Sequence, residues 1–179
     1  MIVNGFWAYR AAGEGYERPP HVFRDNGYDG SGLAYNKISL KHGLQSLVDA
    51  FPDRRFVIVE DVPVGAEFDV AYAARAMHIQ AILGRGHDQL HTTRFGISRE
   101  RYEIQLASYR PILDEIAKAP NVSIVPLIDQ LCDSQFCAGA RNGVLLYRNG
   151  DHLSKAGGEL FADLFFHVIA RADAAQRER

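Results

Sequence analysis

A histidine set between a polar turn and a helix start is the residue of this sequence best placed to do chemistry. His152 lies in "VLLYRNGDHLSKAGG", residues 144 to 158: an apolar run from Val144 to Tyr147, a polar turn, then the imidazole. Two residues later Ser154 is a good N-cap for the apolar-periodic segment running to Ile169. An imidazole there can take and return a proton near neutral pH, beside helix N–H groups suited to developing negative charge. A lone histidine before a helix is otherwise more often structural. Ester chemistry through serine also needs a nucleophile, a group that orients the base, and oxyanion donors. Two residues compete to orient His152. Asn149, three residues earlier, can hold the ring by a hydrogen bond but cannot stabilise an imidazolium by charge. Asp151 carries the charge, yet neighbouring side chains on a loop commonly diverge.

The nucleophile is harder to place. Gly30-Ser31-Gly32 stands in a glycine-rich stretch and reads as loop. Glu60 and Asp61 end a predicted strand, where carboxylates are catalytic or simply exposed. His87 and His91 share metal-ligand spacing only on a helix, which Gly84 and Gly86 oppose. His42, His78 and His167 fall within predicted helices as surface or packing residues. Cys132 and Cys137 are the two cysteines, five apart in "CDSQFC", and either close a small disulfide loop or stay free thiols. No second Cys or His pair accompanies them, so no metal site is expected.

The elements that must position these residues alternate along the chain. Strands are predicted at "MIVNGFW", "RFVIVEDVP" and "NVSIVPLI". Helices are predicted over 33–51, stopped by Pro52, over 69–83, over 98–118 with Pro111 as a kink or break, and over 155–170. Residues 8–33 and 84–96 read as loops, and 171–179 as a polar tail after a domain of residues 1–170. This order is that of a parallel sheet covered by helices on both faces. Three strands make a thin sheet of that kind.

With 179 residues and a net charge of −2, the chain has length for a buried core and no electrostatic footprint for nucleic acid or an anionic membrane. It has no apolar run of bilayer length and no basic-then-apolar start, so as written it is expected to be soluble and untargeted.

The block "YRNGDHLSKAGG" resembles the last motif of SGNH-type hydrolases, in particular the SGNH domain fused to acyltransferase-3 membrane proteins. "MIVNGFWAYR", "VIVEDVP" and "LCDSQFC" resemble successive parts of the same domain, so the likeness runs from residue 1 to about 168. It implies an α/β, three-layer SGNH/flavodoxin-like parallel sheet lacking its first strand or strands, because no Gly-Asp-Ser nucleophile block is present. It also implies transfer of an acyl group, often acetyl, to a glycan hydroxyl outside the cytoplasm. The donor would come from a membrane acyltransferase domain, with no dissociable cofactor. By the same resemblance His152 is the base, Asn149 fills a position the family gives to aspartate, and Trp7 and Tyr9 line an acyl or sugar pocket. An extracytoplasmic setting would pair Cys132 with Cys137. A truncated free-standing SGNH esterase and a non-catalytic remnant that binds a glycan or partner are the other readings.

Overall fold

Short apolar, β-branched runs form the sheet that the alternation predicts. The computed structural model of the protein describes residues 1–5, 7–11, 33–71, 95–142 and 144–177. In chain order the elements are β1 (Ile2–Val3), α1 (Trp7–Ala11), α2 (Leu33–Ala50), β2 (Phe56–Val59), a 3-10 turn (Ala66–Phe68), β3 (Gly96–Ser98), α3 (Arg99–Ile116) and β4 (Val122–Val125). They continue with α4 (Ile128–Leu131), β5 (Phe136–Ala138), β6 (Ala140–Arg141), β7 (Val144–Leu145), β8 (Tyr147–Asn149), β9 (His152–Leu153), α5 (Lys155–Glu159) and α6 (Ala162–Arg177). The chain divides into two units: Met1–Asp61 with Glu103–Leu127 and Val168–Arg179, and Val62–Tyr102 with Ile128–His167.

The first unit holds an open parallel sheet in the order β1-β2-β4. Val57 pairs with Ile2 on one side and Ser123 on the other. All four residues of the central strand β2 are buried. A strand covered on both faces reads as an unbroken apolar run rather than an alternation, which is why "FVIV" stands out in the sequence. Leu44 and Val48 of α2, one helical turn apart, and Tyr109, Leu113 and Ile116 of α3 meet Phe56 and Ile58 in one core. Pro111 lies inside α3 without ending it.

The predicted first strand is shorter than its apolar run. β1 stops at Val3, and Trp7 opens α1 instead of closing a strand. Two bonds account for the change: the Trp7 indole N–H donates to the Val59 carbonyl at 2.6 Å, and the Ala8 N–H to Asp61 Oδ2 at 2.8 Å. The buried carboxylate gives an otherwise orphan N–H of a helix start its partner.

The second unit is made of antiparallel pairs two or three residues long: β3 with β5, β6 with β7, and β8 with β9. Phe68 is fully buried there, stacked on Tyr147 with ring centres 4.1 Å apart and edge-on to Phe95. Gly96 has φ 139°, and a Cβ on it would meet the Cys137 carbonyl oxygen at 2.0 Å, so β3 and β5 approach as only a glycine allows. Arg99 donates to the Asp133 carbonyl at 2.9 Å and pairs with Asp129.

The last helix departs from expectation at both ends. It is two helices, because Gly157 and Gly158 weaken the first turns and the Phe161 N–H closes a tight bond to Gly158 O at 3.1 Å. α6 then continues to Arg177, through most of the segment expected as a tail. Most of the helix predicted over 69–83, nearly all of the loops 8–33 and 84–96, and Ser31, His78, His87 and His91 lie outside the described residues.

Candidate active site

His152 sits at the start of β9, across a tight turn from Asn149 at the end of β8. Three sets of contacts pin this hairpin. Upstream, the buried Tyr147 donates its hydroxyl to the Pro63 carbonyl at 2.8 Å; burial pushes that phenol well above its ordinary range, so it stays a neutral donor. At the tip, the Gly65 N–H donates to Gly150 O at 2.9 Å, and a Cβ on Gly150 would stand 2.8 Å from the Gly65 oxygen. Downstream, Ser154 caps α5 as expected, accepting the Gly157 N–H at 3.0 Å while its hydroxyl donates to Leu145 O at 2.7 Å. The Ser154 N–H also donates to Leu146 O at 2.8 Å. The imidazole is half-exposed between these anchors.

Two oxygens face the same ring nitrogen. His152 Nδ1 lies 2.9 Å from Asn149 Oδ1 and 2.8 Å from Asp151 Oδ1. Asn149 Oδ1 also accepts the His152 backbone N–H at 2.9 Å, which fixes the oxygen end of that amide toward the turn. Since both neighbours of Nδ1 are acceptors, Nδ1 carries the proton in the neutral ring and the lone pair falls on Nε2. Asn149 and His152 pair across the hairpin and so share a face. Asp151, expected to diverge, turns back onto the ring because the turn is only two residues long. Asn-Gly-Asp ahead of a histidine carries a hairpin signal that would have brought the two side chains together.

The remaining candidates fall elsewhere. Trp7 is 5% exposed and belongs to the core of the first unit. Tyr9 lies in α1, and its side chain is outside the described residues. Cys132 and Cys137 are joined as a disulfide, closing the loop between α4 and β5. Glu60 and Asp61 are buried rather than an exposed strand terminus. Glu60 accepts the Leu127 N–H at 3.1 Å and pairs with Arg110. Desolvation pushes the Asp61 carboxyl up to about 7 against its backbone hydrogen bonds from Ala8 and Trp7. His42 and His167 are exposed on helices. Among the described residues no cluster of three His, Cys, Asp or Glu side chains could hold a metal ion, and no helix is long and apolar enough to cross a membrane.

His152 thus stands on a hairpin that runs into a capped helix, and the disulfide loop precedes that hairpin in the chain. The family model of the SGNH domain (fused to AT3 domains) matches residues 1–166. The chain belongs to this SGNH family. Neither a curated protein nor a solved structure matches it. Membership ties the chain to domains joined to AT3 acyltransferases, and the open sheet with flanking helices agrees with an SGNH/flavodoxin-like fold. No Gly-Asp-Ser block occurs in the 179 residues.

Proposed function

We propose that this chain is the base-carrying part of an SGNH site that transfers an acyl group, often acetyl, to a glycan hydroxyl on the extracytoplasmic side of a membrane. The observation that carries the reading is the pair of acceptors on His152 Nδ1, which directs the ring's lone pair to Nε2. Nε2 would take the proton of a serine Oγ as that oxygen bonds to the acyl carbon. The same proton would pass to the departing donor oxygen, and the acceptor hydroxyl would then repeat the cycle in reverse. His152 is the catalytic base, and Asn149 orients it. The membrane-bound acyltransferase domain hands over the donor, and no dissociable cofactor takes part. The Cys132–Cys137 disulfide suits an oxidising compartment. Of the two pocket aromatics the proposal keeps Tyr9, since Trp7 is taken up by the core.

The nucleophile in this reading comes from a Gly-Asp-Ser segment, on a first strand of the sheet, outside the 179 residues. One observation favours a second reading, a non-catalytic remnant that binds a glycan or partner: the orienting position holds an amide, not a carboxylate. The DNA upstream of the Met1 codon, together with p-nitrophenyl acetate cleavage by the 179-residue chain, tests the proposal. An upstream segment encoding a strand and Gly-Asp-Ser, with no cleavage by the chain alone, is the expected result. An unrelated upstream gene and cleavage lost in Ser31→Ala would overturn it and make Ser31 the nucleophile.

A further inference from the structure

In this chain the two tasks of an orienting aspartate are divided between two residues, and we infer that Asp151 supplies the charge while Asn149 supplies the shape. The inference rests on reading His152 as the base, and adds a positioning residue to it. Asn149 Oδ1 is already engaged by the His152 backbone N–H at 2.9 Å, and the Asp151 N–H approaches it at 3.4 Å. That oxygen therefore closes the turn whether or not the ring is charged. As a neutral acceptor it adds little when the ring gains a proton, because its attraction for an imidazolium lacks the charge-charge part.

Asp151 has the opposite profile. Its Oδ1 lies 2.8 Å from Nδ1, and its side chain is only a quarter exposed, so water screens the contact incompletely. A carboxylate there strengthens its hold as the ring becomes cationic, which is when serine gives up its proton. The tip is also rigid enough to keep the pair in place: Gly150 is clamped to Gly65 by a hydrogen bond and by a backbone approach that leaves no room for a Cβ. Asp151 touches no reacting atom in this scheme and acts only through His152.

Ring 15N spectra of His152 in the 179-residue chain test the division without any substrate, so the result is independent of ester turnover. Asp151→Asn keeps the shape and removes the charge; it is expected to raise the minor Nε2–H tautomer roughly fivefold and to sharpen loss of the Nδ1 proton signal. The double variant Asn149→Asp with Asp151→Asn moves the charge to the other side chain and is expected to restore the Nδ1–H tautomer. Backbone amide spectra show whether each variant keeps the hairpin, and Asp151→Glu provides a second charged form should Asp151→Asn disturb it. An unchanged tautomer in Asp151→Asn, or a loss that the double variant does not rescue, would overturn the charge role. If the tautomer behaves as expected and a nucleophile-bearing protein still fails to turn over esters, only the functional reading falls.

Discussion

The first unit packs apolar side chains around a parallel sheet, whereas the second adds, beside its Phe68–Tyr147 stack, three glycines set hard against backbone carbonyls. Ile58, Leu113 and Ile116 meet other apolar groups around a parallel sheet. Gly96, Gly150 and Gly157 instead abut the carbonyl oxygens of Cys137, Gly65 and Leu146. A core of side chains tolerates adjustment, because rotamers can shift to absorb a change in volume. Close backbone approaches tolerate almost none. The His152 hairpin belongs to the second kind, which would suit the proposed base, whose ring must be held to a fraction of an ångström.

One departure from this contrast is Asp61, a carboxyl buried within the first unit, and it should give the largest effect. Its carboxyl is raised from 3.8 to about 7 in the folded chain, so between those values the native state holds a proton the unfolded state has lost. Its contribution is therefore fully present below about pH 4, declines as pH rises, and is lost above about pH 7. Asp61→Asn keeps an oxygen for the Ala8 N–H and removes the slope. Denaturant titrations at pH 4 and pH 8 should show the variant gaining on the parent by a difference on the order of 4 kcal/mol. Parallel curves for the two proteins would mean the carboxyl is not desolvated.

Gly157→Ala tests the backbone-packed unit directly. The new Cβ would lie 2.0 Å from Leu146 O, so the Ser154 cap must move, and a loss of about 3 kcal/mol in chemical denaturation is expected. Gly158→Ala, with nothing within 4 Å of the added carbon, is the matched control and should be tolerated. Equal effects would mean that the approach of Leu146 O does not constrain Gly157.

Breaking the Cys132–Cys137 disulfide should cost less, about 2 kcal/mol for so short a loop in the chain-entropy model. Thermal melts of Cys132→Ser with Cys137→Ser against the oxidised parent read this. Smallest is Gly43→Ala in α2, where the added carbon meets nothing within 4 Å; helix propensity alone should stabilise by about 1 kcal/mol, measurable in the same melts.

The same contrast explains what the sequence made legible. β2, α2 and α3 were readable because apolar residues fill enough positions to be seen: the unbroken run "FVIV", and at helical spacing Leu44 with Val48 and Tyr109 with Leu113 and Ile116. Strands of two or three residues carry no period, so β5 to β9 could not be read that way. At the site, His152 and the Ser154 cap were visible as types at a spacing. The second acceptor on Nδ1 was missed although Asn-Gly-Asp signals the turn locally; the clamp of Gly150 on Gly65, some 85 residues earlier in the chain, is what no local pattern contains. Glu60 and Asp61 were read as ending a strand, but their burial depends on Arg110, Leu127 and Ala8, partners no local pattern contains.

The most direct test of the account is ester turnover by a protein in which a strand bearing Gly-Asp-Ser is joined ahead of these residues, measured with His152 intact and as His152→Ala. With His152 as the base, kcat for p-nitrophenyl acetate should fall about a thousandfold while the hairpin's amide spectrum stays in place. Turnover that survives in His152→Ala would contradict the account and place the base elsewhere.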